Sequence, residues 1–158
     1  MAANSIDQSG ILAIATRLQR MSERLRKDGV QIYAAAGISF EPKWFPVIYV
    51  LNLQSPLSVV EIATEIGYTH PSTISLLKEL EKEKLVKSHT DKKDKRKRMI
   101  ELTPKAKELI VHMKPVWKKM TRALTELTNT TNNLLEALNE VEEQLQQESF
   151  LDRAKRLI

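Results

Sequence analysis

Residues 91–98 read DKKDKRKR, six basic side chains and two aspartates in eight positions, and the alternating MIEL follows. Lysine and arginine at this density suit a polyanion, because each cation that meets a phosphate releases a condensed counterion. The formal net charge is +5 over 158 residues, so most of it sits at this one site. Focused charge points to a charged partner more than to general solubility. A solvated turn is the competing reading, and the flanking segments decide between the two. Asp91 and Asp94 are read as organisers of the turn, since short carboxylates bond to backbone nearby.

Other chemistry is thinly represented. The sequence has no cysteine, which excludes disulfides, thiolate metal sites and thiol redox sensing within it. His70, His89 and His112 fall on a turn, a strand and a separate helix without ligand spacing, so no metal and no cofactor are expected. Only four glycines occur. No Gly-rich phosphate loop, HExxH or nucleophile-plus-base set is present, and no enzyme activity is expected. Trp44, Tyr49 and Trp117 are candidates for a ligand pocket, against the plainer reading that they are core. No stretch approaches the roughly 20 apolar residues of a membrane span. The opening MAANSIDQSG lacks the basic start and apolar run of a signal peptide. A cytoplasmic protein without membrane contact is the expectation.

Helical periodicity runs through most of the chain. Residues 11–37 read as a first helix, with Leu18, Met21 and Leu25 recurring on one face and Gly37 as its stop. EPKWFPVIYVLNLQS reads as a second, in which Pro42 suits a first turn and Pro46 kinks or delays the start. In LSVVEIATEIG, Ser58 and Glu61 fit a capping box, Ile62, Ala63 and Ile66 form the apolar face, and Gly67 ends the helix. YTHP is a turn, with Thr69 as N-cap and Pro71 in the next first turn. Thr73, Leu76, Leu77 and Leu80 then make an apolar stripe. VKSHT and RMIEL alternate, so 86–102 reads as a β-hairpin with the charged run at its tip. Thr103 and Pro104 open a long helix expected to bend at Pro115, and TNTTNN breaks it. Leu134, Leu138, Val141 and Leu145 form a near-heptad seam on a further helix. SFLDRAKRLI either extends that helix or makes a short one of its own.

Residues 57–103 thus run helix, tight turn, helix, basic hairpin. A helix-turn-helix needs a small residue in its first helix, a glycine at the turn and apolar positions in its second. Ala63, Gly67 and the Thr73/Leu76 pair supply them. The added hairpin makes a winged helix, in which the second helix enters the DNA major groove and the wing reaches backbone or minor groove. Candidate DNA-binding residues are therefore His70, Pro71, Ser72, Ile74, Ser75 and Lys78 on the helix. Lys92, Lys93, Lys95, Arg96 and Arg98 join them from the hairpin. Ile74 lies outside the apolar stripe and suits a thymine methyl.

The segment LSVVEIATEIGYTHPSTISLLKELEKEKLV, with DKKDKRKRMIELTPKAKEL after it, resembles the MarR family of winged-helix transcriptional regulators. The wing followed by LTPK and a long helix carries most of that resemblance. It implies a mainly α fold with a small β-hairpin, flanked by long dimerisation helices. Residues 1–40 would be an N-terminal dimerisation helix, 41–104 the DNA-binding domain and 105–158 the C-terminal dimerisation helices. It also implies a homodimer on double-stranded DNA, a repressor released by a small-molecule or other signal. Lys93 stands where relatives commonly place a minor-groove arginine, and Lys84 replaces a glycine often found at the second helix's end. Alternatives are a winged-helix adaptor that binds protein, or the regulatory portion of a longer polypeptide.

Overall fold

The structure, a computed structural model, describes residues 4–158. It divides into two compact units, the first ending at Val116 and the second comprising Trp117–Ile158.

In the first unit a 3-10 segment, Asp7–Ala13, leads into helix α1, Ile14–Ala35. The α-helix begins three residues later than the periodicity predicts. Gly10 has φ of 61° and ψ of −129°, which no helix continues through, and the tighter turn closes first. Gly37 follows the helix at φ 72°, the left-handed stop expected of it. Tyr33, Phe40 and Trp44 then stack edge to face, with centroids 5.0 and 5.7 Å apart. Pro42–Trp44 forms a second 3-10 turn before α2, Phe45–Leu53. Pro46 therefore sits in the first turn of α2, where its missing N–H costs nothing.

A two-residue strand, β1 (Leu57–Ser58), precedes α3 (Val59–Ile66) and α4 (His70–Lys82). The hairpin is β2, Val86–Thr90, and β3, Arg98–Leu102. β3 is the middle strand, with Leu57 opposite Ile100 on one side and Val86 opposite Leu102 on the other. β1 is too short to show an alternating pattern, so the hairpin alone was legible in sequence. Ile62, Leu77, Leu80, Ile100 and Met113 are fully buried. Each such side chain contributes roughly 1.5–3 kcal/mol by leaving water.

Helix α5, Pro104–Thr128, continues through Pro115. Thr103 opens it: its Oγ1 accepts from the Ala106 N–H at 3.1 Å and donates to the Lys84 carbonyl at 2.7 Å. In the second unit, Asn133 caps α6, Leu134–Gln147, by accepting from the N–H groups of Leu135 and Glu136. Glu148 is extended and Ser149 caps a separate α7, Phe150–Arg156. The last segment is thus a helix of its own. Neither α6 nor α7 has a buried residue. Among the described residues, no helix is long and apolar enough to cross a membrane.

Candidate nucleic-acid interface

The local chemistry of residues 58–73 sets the angle between α3 and α4. Ser58 Oγ accepts from the Glu61 N–H at 3.3 Å, and Glu61 Oε2 accepts from the Ser58 N–H at 2.7 Å. These bonds from Ser58 hold the Glu61 carboxyl below the usual range. Gly67 adopts φ 68°, a conformation that glycine reaches without a Cβ penalty. Thr69 Oγ1 accepts from the Ser72 N–H at 3.3 Å, and the buried Thr73 hydroxyl donates to the Thr69 carbonyl at 3.0 Å. A reciprocal cap, a left-handed glycine and a threonine cap thus fix the turn within twelve residues.

Thr73, Leu76, Leu77 and Leu80 bury one face of α4. The opposite ridge, Pro71, Ser75, Lys78 and Lys82, is exposed, as are His70 and Ser72. Ile74 is half-buried at one side of that ridge.

The wing is folded by its aspartates. Asp91 Oδ1 accepts from the N–H groups of Lys93 at 2.6 Å and Asp94 at 2.9 Å. Asp94 Oδ1 accepts from the Arg96 N–H at 3.0 Å. Backbone bonds from the Asp91 N–H to Lys97 and from the Lys97 N–H to Asp94, both 2.9 Å, close the turn. The N–H groups of Asp94 and Lys93 hold the Asp91 carboxyl below its ordinary value, with Lys97 and Lys93 adding to the effect. Lys92, Lys93, Lys95, Arg96 and Lys97 are left in water around this acidic hub. Arg98 differs. It pairs with Glu81 of α4, which ties the base of the wing to that helix. Burial raises the Glu81 carboxyl, but hydrogen bonds from Arg98 and Ser88 outweigh it and leave it lowered.

Several of the predicted residues meet in one groove. His70 and Ile74 of α4 face Arg96, Lys97 and Arg98 of the wing, with the start of α3 as floor. Ser72 and Ser75 line a second groove with Arg26 and Lys43. Lys92, Lys93 and Lys95 stand at the wing tip, and Pro71 and Lys78 lie on the ridge. Sequence reasoning missed Lys97, Arg26 and Lys43 as members of these grooves. Lys97 was inside the charged run. Arg26 and Lys43 come from elements distant in sequence, and no local signal marks them.

The aromatic candidates separate. Trp44 Nε1 donates to Glu79 Oε2 of α4 at 3.1 Å, and the ring lines a cavity of about 550 Å³ with Ile38, Leu85, Lys105 and His112. Tyr49 lies on the exposed side of α2, its ring 5.2 Å from Phe45. Trp117 belongs to the second unit. Among the described residues, no three His, Cys, Asp or Glu side chains are grouped to hold a metal ion.

A helix-turn-helix whose second helix lies beside a three-stranded sheet and a basic hairpin defines the winged-helix class. Within that class, the sequence model of the MarR family matches residues 36–97 of the chain. Among curated proteins, none matches the chain significantly. Solved structures match across most of its length. A regulator of M. tuberculosis, MOSR, in complex with DNA, is 19% identical with a TM-score of 0.69, over 85% of this chain and 94% of that one. The repressor CouR, bound to a 23-mer DNA duplex, is 24% identical with a TM-score of 0.62, over 87% and 94%. The PcaV regulator of Streptomyces coelicolor, in complex with its natural ligand, is 13% identical with a TM-score of 0.65, over 94% and 99%. At these identities the likeness is one of fold.

Proposed function

We propose that the protein is a cytoplasmic, homodimeric, sequence-specific DNA-binding transcriptional regulator, and a repressor released by a small-molecule or other signal. The observation that carries this reading is the ridge of α4, with Lys78 and Lys82 in no ion pair among the described residues, standing beside a wing of exposed cations. Ser72, Ile74, Ser75 and Lys78 would read base edges, and Lys92, Lys93, Lys95 and Arg96 would hold phosphates. His70, Pro71 and Arg98 would flank those contacts. Similar folds in complex with DNA support it.

Dimerisation is supported by apolar surface that is exposed among the described residues. Leu18, Met21 and Leu25 of α1 are each about two-fifths exposed, and Val141 and Leu145 of α6 about half. A two-fold dimer places two α4 helices on half-sites about 10 base pairs apart or a multiple of that. The cavity beside Trp44 is the proposed seat of an effector, since a regulator of similar fold is held with its natural ligand.

The test is selection of genomic fragments by the purified protein. The expected result is enrichment of a near-palindromic sequence with that half-site spacing. Recovery without any enriched sequence would contradict specific regulation.

A further inference from the structure

The second groove on α4 suggests a contact beyond the wing. At about 3.6 residues per turn, Ile74 and Ser72 lie on opposite sides of the ridge formed by Pro71, Ser75 and Lys78. The wing stands on the Ile74 side. On the Ser72 side stand Arg26 of α1 and Lys43 of the 3-10 turn before α2, around the hydroxyls of Ser72 and Ser75. A helix lying in the major groove has a phosphate strand on each side, because that groove is about 12 Å wide. Cations on only one flank would leave the other strand without a partner.

We propose that Arg26 and Lys43 form a second phosphate-binding site, which grips the DNA strand opposite the one held by the wing. This rests on the DNA-binding function proposed above.

Arg26 makes no ion pair among the described residues, so its guanidinium is available to a phosphate. Lys43 is held in place, with its Nζ 2.6 Å from Glu79 Oε2. Trp44 Nε1 donates to the same oxygen at 3.1 Å. The hydrogen bond from Lys43, then that from Trp44, keeps the Glu79 carboxyl below its ordinary range, so it remains an anion. An ammonium has three N–H donors. One faces Glu79, and the others remain for a phosphodiester. Glu79 is therefore a positioning residue, which fixes a flexible side chain at the wall of the groove.

The experiment is binding of a labelled mixed-sequence duplex across a salt series, by the wild type and four variants, Lys43→Ala alone among them. Arg26→Ala changes an exposed residue and is expected to lower the log–log salt slope by about 0.9 for each protomer on the duplex. Arg26→Ala with Lys43→Ala is expected to lower it by about 1.8 for each protomer, with weaker binding to every sequence. Glu79→Gln keeps an oxygen for Trp44 but loses the charge that places Lys43, so affinity is expected to fall, with a slope between those of the wild type and Lys43→Ala. If Lys43 only braces α4, Lys43→Ala and Glu79→Gln weaken binding alike and leave the slope unchanged, which overturns the proposal. An unchanged slope in Arg26→Ala also overturns it, while the wild type still binds. A wild type that binds no duplex at low salt overturns the proposed function as well.

Discussion

Helices α4 and α6 are nearly the same length, 13 and 14 residues, and both carry an apolar stripe at helical spacing. Their fates differ. α4 buries four residues against its own chain and presents a polar ridge outward, whereas α6 buries none. Among the described residues the first helix buries its stripe and the second does not. Periodicity predicts that a helix has a face to cover, but what covers it is a separate question. In the winged-helix segment the covering surface of α4 comes from α3, strand β2 and the 3-10 turn before α2. For α1, α6 and α7 we assign it to a second copy of the chain.

The largest expected effect follows from the covered face. Leu77→Ala removes a fully buried side chain and should cost about 2–5 kcal/mol, read as a lower urea midpoint. Its counterpart on the uncovered face should behave otherwise. Leu145→Glu on α6 should yield monomers in sedimentation at micromolar concentration and weaken binding to a palindromic site. A dimer that survives Leu145→Glu, together with Val141→Glu, would place the interface elsewhere.

Smaller effects sharpen the comparison at the ends of α3 and α4. Gly67 has φ 68° and open space where a Cβ would stand. The cost of Gly67→Ala is therefore backbone strain alone, about 1–2 kcal/mol. Lys84, just beyond α4, sits at φ 59° although it is not glycine. Lys84→Gly should relieve strain and stabilise by up to about 1 kcal/mol, because glycine's greater unfolded entropy offsets part of the gain. Urea midpoints moving in opposite directions for these two changes would establish the point.

These positions also show what the sequence made legible. Ser58, Glu61, Gly67, Thr69 and Pro71 each state a local conformational rule. The helix-turn-helix could therefore be read from them, and the stripe of α4 was found residue by residue. The hairpin followed from two alternating segments, and the role of Asp91 and Asp94 from their side-chain reach. What escaped was either too short to show a period or joined over distance. β1 has two residues. The 3-10 segment at Asp7–Ala13 is kinked at Gly10 by one dihedral pair that no periodicity reveals. Arg26 and Lys43 approach α4 only after α1 and α2 have packed, so neither carries a mark in its own neighbourhood. Trp44 was singled out as a pocket residue. Its hydrogen bond to Glu79 joins elements 35 residues apart and could not be foreseen.

The central claim is that the wing supplies charge to phosphates while α4 reads bases. It is tested most directly by equilibrium binding across a salt series. The proteins compared are the wild type, the double variant Lys93→Ala with Arg96→Ala, and Ile74→Ala. The account predicts that the double variant weakens binding to all sequences and flattens the log–log slope by about 1.8 for each protomer on the DNA. Ile74→Ala should keep the slope and change which sequence is preferred. If the double variant retains both the affinity and the slope of the wild type, the wing is a solvated turn and the claim is contradicted.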